Sequence, residues 1–271
     1  KNMKKVVYLD NNVLIYIKDN RESVFAKRMF NLNENDYTKV YGPAHMEELA
    51  GSEIRYNSNR NTIERDLQFI KKFTNSNELL PSEESIFKGI SYASKLKLVK
   101  EHPKDCYERV IKEYHRNGIA EYYEQKVIDD AHTNSIGSPM EVNNIKIEKL
   151  FNDNDKRSII NDLLELGLIT ESIFEEALNW NFDDIKDKFY LVECYINLAA
   201  NLIEKIGYYR EDNKTEVVRS RLHDVTHMIY AAYCDIFICN DKKLRKKTKA
   251  IYYLLNIKTD VYSIEEYMSR S

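Results

Sequence analysis

Two short apolar segments of the sequence each end at an aspartate. Residues 236–239 run into Asn240 and Asp241, and a strand expected over residues 4–9 runs into Asp10. Short continuous apolar runs are typical of parallel strands that are covered on both faces. In open parallel sheets the ligand lies beyond the carboxyl ends of the strands. The pattern therefore predicts an α/β fold in which both aspartates face one ligand crevice.

Helical segments bring further polar residues toward the same edge. Asp224 and His227 have the i, i+3 spacing of one helix face, just ahead of the late strand. Another strand is expected at residues 39–41, and the helix after it places Glu47 or Glu48 in its first turn. Convergent carboxylates repel one another unless a cation lies among them, and hard oxygen ligands suit Mg²⁺ or Mn²⁺. We therefore expect a site that binds Mg²⁺ or Mn²⁺.

The order of these residues resembles that of the PIN-domain nucleases. Asp10 follows the first strand, Glu48 begins a Glu-Leu pair after the second, Asp224 opens a helix, and Asn240-Asp241 follows a late strand. The resemblance covers about the first 70 and about the last 85 residues. It implies a three-layer α/β/α fold with a central, mainly parallel sheet, an acidic pocket for Mg²⁺ or Mn²⁺, and hydrolysis of RNA phosphodiester bonds. Carried over by position, the metal-binding and catalytic acids are Asp10, Glu48, Asp224 and Asp241.

Neighbouring polar residues have supporting roles in this hypothesis. Glu47 and Glu48 lie about 100° apart on a helix, so only one can face the pocket, and the match to the Glu-Leu pair favours Glu48. Asn240 can hold the acid that follows it, or a ligand water, through its amide. His227 can contact phosphate or a carboxylate that supports the metal, and a packing role on its helix is an equal alternative. Asn11 either caps the following helix or touches substrate.

The middle of the chain differs from its two ends. Residues 1–74 and 186–271 are predicted to form the two parts of a PIN-like core, and residues 75–185 to form an all-helical insertion. The histidines of this insertion have no metal-ligand spacing. We expect it to select substrate or to form a subunit contact. The helical patterns lie at residues 86–100, 106–123, 145–151, 159–166 and 172–178.

A basic run follows Asp241 directly. Residues 242–249 hold six cations in eight positions. A solvated helix face is one interpretation of such a run, and a phosphate-contacting surface is the other, which its place beside a predicted catalytic acid favours. The residues predicted to contact nucleic acid are Lys242, Lys243, Arg245, Lys246 and Lys247.

Composition sets few limits on function. The formal net charge is −3, so contact with a polyanion requires a local basic patch. The four cysteines form no Cys-x-x-Cys pair and are expected to be reduced thiols in the core. No apolar run approaches the roughly 18 residues of a membrane span, and we expect a cytoplasmic protein with no membrane partner.

Three other functions fit parts of the sequence. A PIN-like module that binds nucleic acid or protein without cleaving would have no need of four acids in this order. A DNA-directed nuclease would use the same pocket, so RNA as the expected substrate rests on the resemblance alone. A phosphatase with Asp10 as nucleophile is disfavoured because Asn12 stands where such enzymes commonly carry a second aspartate. The sequence leaves open whether the protein forms a homo-oligomer or binds an inhibitory protein.

Overall fold

A four-stranded parallel sheet lies at the centre of this α/β protein. The computed structural model describes residues 4–56, 59–87, 90–116, 139–210 and 215–270. Within them the strand order of the sheet is β2-β1-β5-β6, and β3 and β4 form a separate antiparallel pair. The strands are β1 (Lys5–Leu9), β2 (Tyr37–Val40), β3 (Asn77–Phe87), β4 (Ile90–Lys100), β5 (Ile236–Ile238) and β6 (Asp260–Tyr262).

Helices occupy most of the remaining described chain. Two short 3₁₀ turns, Ile147–Lys149 and Glu171–Ile173, lie among them. The helices are α1 (Asn11–Lys18), α2 (Ser23–Phe30), α3 (Pro43–Tyr56), α4 (Arg60–Thr74), α5 (Pro103–Arg116), α6 (Pro139–Asn143), α7 (Asp153–Glu165), α8 (Phe174–Ala177), α9 (Phe182–Ile185), α10 (Phe189–Ile206), α11 (Thr215–Ala231), α12 (Lys242–Leu254) and α13 (Ile264–Met268).

The two faces of the sheet are buried in two separate apolar clusters. Successive side chains of a strand point to opposite faces, so Tyr8 and Phe237 pack with residues of α7, α10, α11 and α12. Val7 and Ile238 pack on the other face with residues of α1 to α5 and α13. Burial on both faces explains why the strands are continuously apolar. Segments near the two ends of the chain therefore share one sheet, as the sequence predicts.

The beginning of the segment 75–185 is a hairpin and not a helix. Residues 86–100 were predicted to form a helix, but β3 and β4 form an antiparallel hairpin there. Strand β3 of the hairpin pairs with Tyr41, the residue that follows β2. Leu79 N–H donates to the Tyr41 carbonyl over 2.8 Å, and Tyr41 N–H donates to the Asn77 carbonyl over 3.0 Å. The alternation of lysine and leucine at residues 95–98 is the period-2 signal of a strand. The prediction of an all-helical insertion is therefore wrong.

Other parts of that segment are helical. Helix α5 begins three residues before the pattern predicted at 106–123, and α7 begins six residues before the pattern predicted at 159–166. The part of the first pattern beyond residue 116, and most of a loop expected at residues 134–139, lie outside the described residues.

Helix α10 returns the chain to the core. Phe189–Ile206 has the broad apolar face expected of a helix buried on one side, and it ends at Gly207, whose φ is 89°. Glycine is favoured there because other residues rarely adopt a positive φ. Within the described ranges, no helix has both the length and the apolar character needed to cross a membrane.

Candidate metal centre

Asp10 lies at the carboxyl end of β1, at the centre of the sheet. Its N–H donates to the Ile238 carbonyl over 3.0 Å, so β5 holds the backbone in place at the end of both strands. Asp10 precedes α1 but its side chain does not cap that helix. The side chain is 2% exposed, and Oδ2 has no hydrogen-bond partner among the described residues. A buried carboxylate oxygen without a partner is costly, so this atom indicates a missing ligand.

Glu48 reaches the same point from α3. This helix begins directly after β2, so its first turns lie at the carboxyl edge of the sheet. Glu48 Oε2 accepts a 2.7 Å hydrogen bond from Asn11 Nδ2. The Glu48 side chain is 23% exposed, and its other oxygen, Oε1, lies 2.8 Å from His227 Nε2. Glu47, in contrast, lies 3.7 Å from His223 Nδ1.

Asp10, Glu48 and His227 form a group that can hold a metal ion. One donor atom from each of the three lies within 4.8 Å of the others. His227 Nε2 and Asp10 Oδ1 are 3.9 Å apart, and the His227 side chain is fully buried on α11. In the part of the chain that the structure describes, this is the one group of three His, Cys, Asp or Glu side chains with that proximity.

The pKa values of these three groups show how the charges interact. Burial raises the pKa of Asp10 to about 6; Glu48 adds to this effect and His227 opposes it. Burial opposes the ionisation of His227, but its hydrogen bond to Glu48 and the Glu48 charge outweigh it and raise the pKa. Burial also opposes ionisation of Glu48, and hydrogen bonds and charge from His227 outweigh this and lower its pKa. One imidazole thus compensates several acids, and an added cation would relieve the remaining repulsion.

Tyr8 and His45 lie directly behind His227. The Tyr8 hydroxyl is 2.8 Å from His227 Nδ1 and 3.4 Å from His45 Nδ1. His45 Nε2 lies 2.8 Å from the Leu9 carbonyl, and Gly42 N–H donates to His45 Nδ1 over 3.2 Å. Burial lowers the pKa of His45 to about 3, so its ring is neutral. The metal group is therefore backed by a buried chain of hydrogen bonds.

Asp224 and Asp241 lie near this group but outside it. Burial and the negative charges of Asp10 and Glu48 raise the pKa of Asp224 well above its usual range. Asp241 is exposed, and its Oδ1 caps α12 by accepting a 2.8 Å hydrogen bond from Leu244 N–H. The structure therefore brings two of the four predicted acids together with a histidine, and it places the other two around them.

The predicted basic surface is smaller than expected. Lys242 is exposed, and Lys243 donates to the Arg210 carbonyl over 3.1 Å. Arg245 donates to the Cys239 carbonyl over 3.0 Å. Lys247 is 5% exposed and forms a buried ion pair with Glu204. The prediction that Lys247 contacts nucleic acid is therefore corrected, because its ammonium group is held inside the protein.

Sequence reasoning missed part of the site. His227 was predicted to contact phosphate or a supporting acid, not to join the metal group itself. Tyr8 and His45 were not predicted to have any role, since a tyrosine in a buried strand usually packs in the core. Their sequence positions carried one signal: Tyr8 precedes Asp10 by two residues, so both point to the same face of the sheet. Asn240 is exposed, and Asn11 supports Glu48.

Comparison with known proteins identifies no relative of this chain. No protein-family model matches it, and neither a curated protein nor a solved structure matches it. The chemistry of the pocket therefore has to be inferred from its own residues. Two carboxylates and an imidazole are suitable ligands for a divalent ion, and open positions would remain for water or substrate.

Proposed function

We propose that this protein is a metal-dependent nuclease that hydrolyses phosphodiester bonds in RNA. In this proposal Asp10, Glu48 and His227 bind the ion, which is Mn²⁺ or Mg²⁺. The observation that carries the proposal is Asp10 Oδ2, which is buried without a partner among the described residues, on one of three side chains whose donor atoms lie within 4.8 Å of one another. The parallel sheet with helices on both faces is also the architecture that the resemblance to PIN-domain nucleases implies.

The energetic argument concerns buried charge. An isolated ionised carboxylate loses several kcal/mol on burial unless it is paired or bound to a metal. Asp10 is 2% exposed and lies 3.9 Å from its nearest cationic candidate, His227. Asp10 does not cap α1, and among the residues that the structure describes it forms no ion pair closer than that distance, so a structural role does not account for it. A divalent cation would supply the missing partner.

The residues of the pocket have distinct tasks in this reaction. Asp10, Glu48 and His227 would hold a divalent ion, whose chemistry would be to polarise the scissile phosphate and to lower the pKa of a bound water. Asp10 and Glu48 provide oxygen ligands, and Asn11 fixes the Glu48 carboxylate through its 2.7 Å hydrogen bond. Asp224 and Asp241 add negative charge beside these ligands, where they would orient water or help to bind a second ion.

RNA as substrate rests on the resemblance and on the charges beside the pocket. Helix α12 begins directly after Asp241, so the cations of its first turns lie at the carboxyl edge of the sheet. Lys242 and Lys246 are at least partly exposed there. Cations that contact phosphates position a nucleic acid without reading its sequence. A single-stranded or structured RNA is therefore the expected substrate, in preference to duplex DNA.

The test combines metal binding with cleavage. Wild-type protein should bind Mn²⁺ in calorimetry and cleave RNA in a reaction that EDTA stops. Asp10→Asn and Glu48→Gln should lose both activities. Asp235→Asn is the matched control, because Asp235 is exposed at the opposite end of β5, where it accepts a hydrogen bond from Val6 N–H over 2.7 Å. If both site variants bind Mn²⁺ as tightly as wild type, the metal site is wrong.

Other outcomes would identify the alternative functions. Metal binding without cleavage of any nucleic acid would favour a non-catalytic binding module. Cleavage of DNA without cleavage of RNA would agree with the proposed metal site and would show that RNA is not the substrate.

A further inference from the structure

Two buried histidines are joined through the hydroxyl group of Tyr8. His45 and His227 are both 0% exposed, and Tyr8 Oη lies 3.4 Å and 2.8 Å from their respective Nδ1 atoms. The rings of His45 and His227 also pack edge to face, with centroids 4.9 Å apart. The nuclease proposal uses only His227 from this set. Tyr8 and His45 are buried polar groups to which the nuclease proposal assigns no role.

The directions of the hydrogen bonds determine where protons lie in this chain. The Leu9 carbonyl can only accept, so His45 Nε2 carries a hydrogen and donates to it over 2.8 Å. The His45 Nδ1 lone pair faces both Gly42 N–H, at 3.2 Å, and the Tyr8 hydroxyl, at 3.4 Å, so it can accept from either. The Tyr8 hydroxyl can therefore donate to either histidine, and it can accept from His227 while it donates to His45. Hydrogen positions follow here from the bonding partners, as is usual for histidine tautomers.

The two settings of the Tyr8 hydroxyl match two states of His227. When Tyr8 donates to His227 Nδ1, Nε2 carries the hydrogen and donates to Glu48 over 2.8 Å. When Tyr8 donates to His45 instead, His227 Nδ1 carries the hydrogen, and its Nε2 lone pair faces Asp10 and Glu48. In the first setting both ring nitrogens have partners, whereas in the second the buried Nε2 has a partner only when an ion is bound. The second setting is the one that a metal ligand requires.

We propose that Tyr8 and His45 are positioning residues that hold His227 with its Nε2 lone pair toward Asp10 and Glu48, and that the resulting nitrogen-containing site selects Mn²⁺ over Mg²⁺. This inference rests on the proposed metal site and adds the identity of its ion. Imidazole suits first-row transition ions, whereas Mg²⁺ prefers an octahedral shell of oxygen ligands. A pocket of carboxylates alone would have no such selectivity.

The main experiment compares two tyrosine variants. Mn²⁺ and Mg²⁺ affinities are measured by calorimetry for wild type, Tyr8→Phe and Tyr41→Phe. Tyr41 is an equally buried tyrosine at the end of the neighbouring strand, and its hydroxyl donates to the Glu101 carbonyl over 2.9 Å, away from the pocket. Tyr8→Phe should weaken Mn²⁺ binding about 10- to 100-fold, the usual effect of losing a partner of a metal-binding histidine. It should change Mg²⁺ binding less, and Tyr41→Phe should change neither.

A second measurement needs no substitution. In protein labelled with ¹⁵N-histidine and loaded with diamagnetic Zn²⁺, NMR should show His227 protonated at Nδ1 and bound to metal through Nε2. A His227 signal that is protonated at Nε2 in the loaded protein overturns the proposal. This NMR measurement uses wild-type protein, so it tests the proposal even if Tyr8→Phe folds poorly.

The possible results separate this inference from the metal site itself. Equal Mn²⁺ affinity in wild type and Tyr8→Phe rejects the positioning role of Tyr8 and leaves the proposed metal site unaffected. A wild-type protein with no preference for Mn²⁺ rejects the selectivity. If wild type binds none of the three ions, the nuclease proposal fails, and this inference fails with it. A purely structural tyrosine would lower the thermal midpoint of both variants and leave the Mn²⁺ to Mg²⁺ ratio unchanged.

Discussion

Two places in this molecule bury carboxylates together, and they compensate the charge in different ways. One is the pocket of Asp10, Glu48 and His227 at the carboxyl edge of the sheet. The other, which we call the hairpin-root cluster, lies where β3 and β4 leave the core. Its residues are Tyr41, Glu78, Glu101, Cys106 and Arg109.

The hairpin-root cluster contains its own compensation. Arg109 lies 3.0 Å from Glu78 Oε1 and 2.6 Å from Glu101 Oε1, and the Tyr41 hydroxyl oxygen lies 3.2 Å from Glu78 Oε2. Burial and a hydrogen bond to Glu101 raise the pKa of Glu78 to about 8. Glu78 therefore keeps its proton at neutral pH and shares it with Glu101, so one arginine is enough for the pair.

The pocket lacks both of these devices. Among the described residues no arginine or lysine forms an ion pair with Asp10, and its Oδ2 has no partner. The difference shows that burial of acids does not by itself indicate a ligand site. Glu101 Oε2 also has no partner while both carboxyls are ionised, but the proton that Glu78 retains can bond it, whereas no described group bonds Asp10 Oδ2, which is therefore suited to bind an ion.

The largest expected effect separates the two clusters by function. Asp10→Asn should lower RNA cleavage and Mn²⁺ affinity by more than about 100-fold, since losing a ligand exceeds the roughly 10- to 100-fold cost of losing a supporting partner. Glu78→Gln should change neither, because an amide keeps the neutral donor and acceptor groups of a protonated carboxyl. Calorimetry and a fluorescent RNA cleavage assay measure both. A Glu78→Gln variant without metal affinity would contradict the division into functional and structural acids.

The second-largest expected effect tests whether Arg109 compensates the carboxyl groups of the hairpin-root cluster. Arg109→Ala should lower the free energy of unfolding by about 2 kcal/mol, because it removes charged hydrogen bonds from the buried Glu78 carboxyl and from Glu101. Arg157→Ala, which breaks the exposed 3.4 Å pair with Glu175, should cost less than about 1 kcal/mol. Urea unfolding measures both variants, and Mn²⁺ binding should be unchanged in each. Equal effects of the two substitutions would show that the cluster does not anchor the hairpin.

A smaller effect concerns pH. The folded-state pKa of Glu78 is raised from 4.5 to about 8, so its contribution to stability is fully present below pH 4.5 and is lost as pH rises toward about 8. The advantage of wild type over Glu78→Gln in the free energy of unfolding should therefore shrink between pH 5 and about 8 and stay constant above it. Urea unfolding of both proteins across this range tests the expectation. If the difference in the free energy of unfolding between wild type and Glu78→Gln does not vary with pH, Glu78 does not hold the shared proton.

The smallest expected effect concerns the surface beside the pocket. Replacing Lys242 and Lys246 together with Ser should reduce the slope of log affinity against log salt by about 1.4 for single-stranded RNA, since each phosphate contact contributes about 0.7. Lys71 and Lys72, two exposed lysines in the last turn of α4, provide the matched double substitution. Fluorescence anisotropy with catalytically inactive Asp10→Asn protein measures the slopes. Equal slopes for the two double variants would place the RNA path away from α12.

Sequence patterns predicted the elements that depend on local order. The strands that end near Asp10 and Asp241 were confirmed, because apolar runs and the polar residues that end them are local properties. The helix predicted at residues 86–100 was wrong because the alternation at residues 95–98 received too little weight. The choice of Glu48 over Glu47 agrees with its contacts to Asn11 and His227.

By itself the sequence determined that acids follow the ends of apolar strands, and therefore that carboxylates collect at one edge of a parallel sheet. Only the tertiary structure decided which side chains meet there. His227 is 217 residues from Asp10 in the chain, and it reaches the pocket because α11 packs on the same sheet face to which Tyr8 points. Distances of a few ångströms between such groups depend on helix packing, which residue spacing along the chain does not encode. The same packing buries Lys247 against Glu204 and leaves Lys242 exposed, although both belong to one basic run.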